Sequence, residues 1–210
     1  MKHIPAGTTV ETGILSFEEA LKPSPEVAYD REKWLYVPDF YSEYRYILGT
    51  TGTRPLICIG VNPSTARPDA LDNTLKSVER VAHFNGFDSF IMFNVYAQRA
   101  TVPDDMEKIM NPALHEENLK AFRWVLEHSG SAPAVWAAWG TLITKRAWLK
   151  DCVRDMIRLG QRYGACWYTA GRRSTAGQRS KAGHPHHPLY LPKDSVLEPF
   201  DVETYCSGLL

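Results

Sequence analysis

The sequence predicts an α/β domain of three layers, an α/β/α arrangement in which helices cover both faces of a mainly parallel central sheet. Short apolar runs at residues 55–61, 90–93 and 134–139 are continuous rather than alternating, which is typical of strands buried on both faces. Helical patterns lie between these runs. This alternation favours a parallel sheet, because parallel neighbours need a crossover connection.

The length and composition fit one globular domain with a substantial core. The chain has 210 residues, of which 44% are hydrophobic and 23% are charged, so it is neither disordered nor fibrous as a whole. Residues 1–30 contain three prolines and little periodicity, which predicts an N-terminal arm ahead of a single α/β domain over residues 31–210. Four scattered cysteines without a CxxC pair favour free thiols over disulfides or a cysteine zinc site.

Neither a membrane segment nor an export signal is recognisable in the sequence. No apolar run approaches the roughly 20 residues that a membrane helix needs. Residues 1–25 lack the basic, apolar and small-residue order of a signal peptide. We therefore expect a cytoplasmic protein without a membrane partner.

The predicted helices have recognisable start and stop signals. Asp72 or Asn73 can cap the first helix, and Gly86 can end it. Asn111 can cap the second helix, with a proline at the next, first helical position. A third helix of about 20 residues is expected to follow Gly140. A fourth strand is expected at residues 164–168.

Positive charge is concentrated in one part of the chain. The formal net charge is zero, but residues 141–181 carry ten Lys and Arg against two Asp and Glu. Basic residues recur every four positions along the expected third helix, and more arginines follow in a Gly/Ser-rich loop. Such a stripe is usually a solvated helix face, but this excess of charge indicates a polyanionic partner. The predicted phosphate-binding residues are Arg146, Lys150, Arg154, Arg158, Arg172 and Arg173.

Polar residues follow the predicted strands, where ligands bind in sheets of this kind. Asn62 and Ser64 follow the first strand, Asn94 follows the second and Trp139 ends the third. The Asn94 amide offers a donor and an acceptor side by side, which suits the edge of a nucleobase. An ordinary turn at Asn62 and a structural hydrogen bond from Asn94 to a neighbouring loop are the alternative interpretations.

A histidine-rich segment lies near the C-terminus. His184, His186 and His187 could ligate a metal ion, yet no Asp, Glu or Cys lies in the same segment and no HExxH sequence is present. A histidine held between prolines can instead donate to a developing anion. We therefore predict no metal site and no cofactor, with an exposed turn of no function as the alternative.

Several segments, in this order, are similar to a family of bacterial and phage proteins known as a domain of unknown function. The similarity covers roughly residues 45–192, and the number of matching segments makes it specific. It implies no established activity. The segments are Ile59–Ala66 (IGVNPSTA), Asp72–Thr74 (DNT), Phe93–Thr101 (FNVYAQRAT), Ala138–Gly140 (AWG) and His187–Tyr190 (HPLY).

The sequence also resembles the uracil-DNA glycosylase superfamily. Its members have a Gly-x-Asn/Asp-Pro loop after the first strand, an Asn after a later strand, a strand ending in Trp-Gly and a His-Pro loop near the C-terminus. The corresponding residues here are Gly60–Pro63, Asn94, Trp139–Gly140 and His187–Pro188. The sequence departs from the superfamily at Ser64, where Gly or Tyr is frequent, and in the long basic interval before the histidines.

This resemblance implies a uracil-DNA-glycosylase-like fold that reads a base flipped out of the stack. Asn94 would read the edge of the base, with Ser64, Trp139 and His184 as further candidate base-binding residues. His184 competes with His187 for the His-Pro position, and His187 is favoured because Leu189 and Tyr190 follow it. The implied partner is nucleic acid, DNA rather than RNA, or a nucleotide.

The same resemblance implies hydrolysis of an N-glycosidic bond. Asn62 would position a water, and His187 would stabilise the departing base. An amide is not a strong base at neutral pH, so a carboxylate must accept the proton. Asp72 is the first candidate for this role and Asp69 the second, because both lie in the loop after Asn62.

Two other functions fit these residues. A non-catalytic module of the same fold would bind a nucleotide or nucleic acid and lack an effective base. A metal-dependent hydrolase would use His184, His186 and His187 together with Asp72. Release of a free base distinguishes the first alternative from a glycosylase, and the metal content of the purified protein distinguishes the second.

Overall fold

A single mixed sheet organises the chain in the computed structural model, which describes residues 13–171, 180 and 182–209. Its strands are β1 Trp34–Val37, β2 Ile47–Thr50, β3 Pro55–Gly60, β4 Ser89–Asn94, β5 Ala134–Ala137, β6 Cys166–Gly171 and β7 Val196–Pro199. The α-helices are α1 Phe17–Ala20, α2 Asn73–Phe84, α3 Pro112–Glu127, α4 Leu149–Arg162 and α5 Val202–Leu209. Short 3-10 helices span Pro103–Asp105, Gly140–Thr144 and Pro188–Tyr190.

The centre of the sheet is parallel and its edges are antiparallel. The strand order is β1-β2-β4-β3-β5-β6-β7. Strands β4, β3, β5 and β6 run parallel, whereas β1, β2 and β7 pair antiparallel with their neighbours. The predicted α/β class with a mainly parallel centre is confirmed. The three antiparallel strands were not predicted, because four residues each are too few to show a period.

Helices cover both faces of the sheet. On one face, Phe122 of α3 and Ile157 of α4 belong to the same buried cluster as Ile59 of β3. On the other face, Val78 of α2 is buried in a cluster with Cys58 of β3. Neighbouring residues of a strand point to opposite faces, so Cys58 and Ile59 divide between the two clusters. The continuous apolar run in β3 is therefore buried on both faces, as predicted.

The predicted starts of α2 and α3 are correct. Asp72 caps α2, where its Oδ1 accepts a hydrogen bond from the backbone N–H of Leu75 at 2.9 Å. Asn111 caps α3, where its Oδ1 accepts from the N–H of Ala113 at 3.1 Å. Gly86 has a φ of 81°, the left-handed conformation that commonly follows a helix end.

The helix predicted after Gly140 is shorter than expected. Residues Gly140–Thr144 form a 3-10 helix, and α4 begins only at Leu149 and has 14 residues. Residues 145–148 form bends and turns, in which the N–H groups of Leu149 and Lys150 donate to the carbonyl oxygens of Arg146 and Ala147, and these turns separate α4 from the 3-10 helix. Strand β6 also begins two residues later than predicted, because Gly164 still belongs to the turn after α4, with a φ of 65°.

Part of the predicted N-terminal arm packs against the domain. Phe17 is buried, and its ring contacts the rings of Tyr46 and Trp124. Its backbone N–H donates to Glu117 of α3 at 2.7 Å. Residues 1–12 of the predicted arm lie outside the described residues. Across the described ranges, no helix has both the length and the apolar character needed to traverse a bilayer.

Candidate functional site

A pocket of about 340 Å³ lies at the carboxyl ends of β3 and β4. Four of the predicted site residues line it: Asn62, Ser64, Asp72 and His187. The loop after β3 supplies the first two, the start of α2 supplies Asp72, and the loop before Pro188–Tyr190 supplies His187. Residues distant in the sequence therefore converge where parallel sheets bind ligands.

Asn62 is oriented by the loops that follow β3 and β4. Its Nδ2 donates to the carbonyl oxygens of Ala100 at 2.7 Å and Pro63 at 3.1 Å. These two bonds use both amide hydrogens, so Oδ1 is the atom available to accept from a water or a ligand hydroxyl. Across the same two loops, Ser64 Oγ lies 3.4 Å from Thr101 Oγ1.

His187 presents a ring nitrogen as a neutral donor. Its Nδ1 accepts from the backbone N–H of Leu189 at 3.3 Å, so the proton of the neutral ring lies on Nε2. Burial lowers the pKa of His187, and the negative charge of Asp72 offsets only part of this effect. The ring is therefore neutral at pH 7, and Nε2–H can donate to a carbonyl or to an anion.

Asp72 serves both α2 and the pocket. Besides the Oδ1 contact that caps α2, its negative charge acts on the pKa values of His187 and Arg45. The side chain is half-buried and forms part of the pocket lining. A water bound in the pocket therefore has a carboxylate available as its proton acceptor.

Asn94 lies at the end of β4, paired in register with Gly60 of the pocket wall. It is 1% exposed, and its Oδ1 accepts from Nη2 of Arg45 at 3.3 Å. Its Nδ2 has no hydrogen-bond partner among the described residues. Asn94 is not part of the pocket lining, and a Cβ on Gly60 would lie 2.6 Å from Cε of Met92 and 3.1 Å from this Nδ2. Asn94 therefore lies behind the pocket wall, where its donor is unpartnered and its acceptor is engaged.

Two buried arginines lie beside this wall and were not predicted from the sequence. Arg45 and Arg99 are 1% and 2% exposed, and both donate to the carbonyl oxygen of Ala66, at 3.1 and 3.2 Å. Arg99 also donates to the carbonyl oxygen of Ser64 and, at 3.0 Å, to the hydroxyl of Tyr36. Arg45 is itself part of the pocket lining. The two guanidiniums hold the loop after β3 and bring positive charge to the pocket.

The sequence contains a weak signal for these arginines. Arg45 lies between Tyr44 and Tyr46, and Arg99 lies in a segment whose other members include Val95 and Ala97. Such apolar and aromatic neighbours fit a buried arginine. Because arginine is mostly exposed in proteins, the same pattern describes a surface strand or loop equally well.

Trp139 and His184 lie outside the pocket lining and share a different partner. Trp139 Nε1 donates to the hydroxyl of Tyr205 at 2.9 Å, and the same hydroxyl lies 2.9 Å from His184 Nδ1. Both residues are buried. Burial lowers the pKa of His184, and the positive charge of Lys150 lowers it further. The structure thus joins these two predicted base-binding residues to α5 rather than to the pocket.

Arg146, the first predicted phosphate-binding residue, fastens the loop after β4. Its guanidinium donates to the carbonyl oxygens of Asp104 at 3.0 Å, Met106 at 2.9 Å and Glu107 at 3.1 Å. These bonds tie the segment before α4 to the loop that reaches the pocket through Pro103.

The basic residues of α4 have acidic neighbours on the same helix. Arg154 pairs with Asp151 at 2.8 Å, and Arg158 pairs with Asp155 at 3.4 Å. Surface pairs of this kind are weak, so both arginines can exchange their partners for a phosphate. Lys150 lies on the same helix near His184. The last two predicted phosphate-binding residues, Arg172 and Arg173, lie outside the described residues.

The histidine-rich segment does not gather its side chains at one point. His184 contacts Tyr205, whereas His187 lines the pocket. Within the part of the chain that the structure describes, no three His, Cys, Asp or Glu side chains converge in a way that could hold a metal ion. The metal-dependent alternative gains no support from this geometry.

Fold and site together define an α/β protein with a pocket, lined by both polar and apolar residues, at the carboxyl ends of its parallel strands. The chain belongs to the family described as "Protein of unknown function (DUF1643)", whose model matches residues 45–189. The predicted membership in a domain-of-unknown-function family is thereby confirmed. The matched range contains the whole pocket lining and both buried arginines. No curated protein and no solved structure matches the chain.

Proposed function

We propose that the pocket hydrolyses the N-glycosidic bond of a nucleotide flipped out of DNA, as the resemblance to the uracil-DNA glycosylase superfamily implies. The convergence of Asn62, Asp72 and His187 on one pocket is the observation that supports this function most directly. The volume of about 340 Å³ is at the small end of the range for ligand sites. It suits one nucleotide rather than a duplex, so the target nucleotide must leave the stack.

Each of the three residues has one task in the proposed reaction. A water bound to Asn62 Oδ1 attacks the anomeric carbon of the sugar, and Asp72 takes a proton from that water. The bond between sugar and base breaks, and its electron pair leaves with the base. His187 donates a hydrogen bond from Nε2 to the base as negative charge develops on it. The base anion then takes up the proton that Asp72 received, directly or through solvent, which restores the carboxylate. The products are an abasic sugar and a free base.

The proposed partner is DNA rather than RNA. A free nucleotide is the alternative ligand. Lys150, Arg154 and Arg158 on α4 supply positive charge for a phosphate backbone. A DNA substrate agrees with the cytoplasmic location expected from the sequence. Removal of a base would assign the protein to DNA repair or to the turnover of modified bases.

The test is mass-spectrometric detection of free base after the metal-free protein is incubated with DNA carrying uracil, hypoxanthine or a phage-type modified base. We expect release of one base, and a rate reduced at least about a hundredfold in Asn62→Ala and in His187→Ala. Arg54→Gln, next to the start of β3 and outside the pocket lining, is the control and should retain the rate. No release from any substrate, together with oligonucleotide binding, would favour the non-catalytic binding module instead.

A further inference from the structure

We infer that the pocket binds an oxyanion of its ligand, a carboxylate or a phosphate, against Arg45, the lining residue that donates to Asn94 behind it. The inference rests on the proposed function for the identity of the ligand as a base or nucleotide, and it specifies the chemistry that this ligand must carry. It does not depend on whether a bond is cleaved.

The first argument is the imbalance of buried charge. Arg45 and Arg99 are both almost fully buried and share the carbonyl oxygen of Ala66. Among the described residues, no carboxylate lies within the 4.0 Å of a salt bridge to either guanidinium. Asp72 is the carboxylate whose charge acts on both, so two cations face one anion. Arg99 lies over the ring of Tyr41, 4.2 Å from its centroid, whereas Arg45 has no such ring contact in the described structure. Burying the charge of Arg45 is therefore costly, and a bound anion would balance it.

Holding the loop after β3 does not by itself account for these arginines. Neutral donors could bind the carbonyl oxygens of Ser64 and Ala66 without burying charge. The Nε atoms of both Arg45 and Arg99 are buried, and neither has a hydrogen-bond partner in the described structure. The guanidiniums therefore retain donor capacity beyond what the loop uses.

The second argument is the kind of hydrogen-bonding group that the pocket presents. Arg45 lines the pocket, and its Nη2 already occupies Oδ1 of Asn94. The unpartnered group of Asn94 is Nδ2, which is a donor. Arg45 on the pocket wall and Asn94 behind it thus offer only donors, whereas the edge of uracil requires a donor and an acceptor. Carboxylate and phosphate oxygens are acceptors only, and they match the fork of a guanidinium.

The protonation of Arg45 is compatible with this role. Burial, together with repulsion from Arg99, lowers the pKa of Arg45 to about 9. The guanidinium is therefore still charged at pH 7, where an oxyanion would bind. A bound anion would also reduce the repulsion between the two arginines.

Two parts of a nucleotide ligand can provide such an oxyanion. A modified base can carry a carboxylate on its ring, or a nucleotide can place its phosphate against Arg45. The geometry assigns the shared chemistry, and the choice of probe distinguishes the two sources.

The experiment is calorimetric titration of the protein with uracil, 5-carboxyuracil and inorganic phosphate as probes. We expect at least one of the two oxyanions to bind at least tenfold more tightly than uracil. Preference for 5-carboxyuracil would show that a carboxylate on the base binds at Arg45. Preference for phosphate alone would show that the phosphate of the nucleotide binds there. Arg45→Gln should abolish the preference for an oxyanion over uracil. Arg54→Gln should keep it, because Arg54 lies outside the pocket lining. Equal binding of all three probes, or a preference that survives in Arg45→Gln, would overturn the inference.

A second measurement covers the case in which Arg45→Gln does not fold. The side-chain Nε–H resonances of the unmodified, ¹⁵N-arginine-labelled protein are followed during titration with the same oxyanions. We expect the slowly exchanging resonances of buried arginines to shift, and unchanged resonances would overturn the inference. Base release from DNA is scored separately. Oxyanion binding without base release would refute the proposed function alone, and base release without oxyanion preference would refute this inference alone.

Discussion

Gly140 lies beside His187, so that a Cβ on Gly140 would be only 3.2 Å from the Cβ of His187. Gly140 also has a φ of 61°, a conformation that favours glycine. The Trp-Gly and His-Pro segments, which are distant in the sequence, therefore meet beside the pocket. The backbone at residue 140 determines how closely the histidine loop can approach the sheet.

Gly140→Ala should affect both stability and the pocket. The left-handed backbone costs an alanine about 1–2 kcal/mol, and the new Cβ would displace His187. We expect a lower free energy of unfolding in urea and slower base release. Gly130→Ala is the matched control, because Gly130 has a φ of 86° and no atom within 4 Å of an added Cβ. A similar rate of base release in the two variants would contradict the role assigned to the contact.

Because of His184 and His187, we expect acid to destabilise the folded protein. His184 and His187 both have pKa values below their ordinary value of 6.5 in the folded protein, chiefly because of burial. Below pH 6.5 the unfolded chain therefore binds more protons than the folded one, and the free energy of unfolding should fall as the pH decreases. The loss continues until the pH has passed the lowered pKa values of the folded state.

Urea unfolding measured from about pH 7.5 to about pH 5 tests this expectation. His187→Gln and His184→Gln should each make the decline less steep, because each removes one proton-binding site from the unfolded chain. An identical pH dependence in both variants and the unmodified protein would show that other groups cause the decline. Asp72 and Lys150, whose charges act on the two rings, stay unchanged in this comparison.

Asn94→Asp would give Arg45 a carboxylate partner within the protein, in place of the bound oxyanion. The new carboxylate would accept from Arg45, where Oδ1 of Asn94 now accepts at 3.3 Å. We expect the free energy of unfolding to rise by about 1 kcal/mol, since a hydrogen bond between charged groups is stronger than a neutral one. Binding of 5-carboxyuracil and phosphate should be lost, because the arginine is then paired.

Asn118→Asp is the matched control for this substitution. Asn118 is also buried, and its Nδ2 donates to the carbonyl oxygens of Asn94 at 3.0 Å and Val95 at 3.1 Å. A carboxylate there would lose both bonds and face carbonyl oxygens, so we expect a loss of about 2–3 kcal/mol. Equal destabilisation by the two substitutions would show that Arg45 does not require an anion.

The position of a residue at a strand end can be predicted from the sequence, whereas the position of a residue that depends on tertiary packing cannot. Asn62 follows β3 and Asn94 ends β4, the neighbouring parallel strand, so the topology alone brings them to one edge of the sheet. The placement of Trp139 and His184 depends on Tyr205 of α5, a helix that was not predicted. The burial of Arg45 depends on packing around a whole loop, and no short-range periodicity encodes that packing.

Tyr205→Phe separates structural support from the chemistry of the pocket. The Tyr205 hydroxyl accepts from Trp139 and contacts His184, and its removal leaves these buried groups without that partner. We expect a loss of about 1–3 kcal/mol in urea unfolding, with the rate of base release unchanged. Tyr163→Phe is the control, because the hydrogen bond from its hydroxyl to Glu127 is exposed, and it should cost less than about 0.5 kcal/mol. A loss of base release in Tyr205→Phe without a loss of stability would instead place Trp139 or His184 in the chemistry.

The basic face of α4 predicts a measurable dependence of DNA binding on salt. Arg154→Glu combined with Arg158→Glu removes two cations and repels phosphates, so oligonucleotide affinity should fall. If each arginine contacts one phosphate, the slope of log affinity against log salt should become shallower by about 2. Lys33→Glu combined with Arg54→Glu makes the same charge change outside α4 and should leave the slope nearly unchanged. An equal slope in both double variants would mean that Asp151 and Asp155 remain the partners of these arginines, and that α4 is a solvated face.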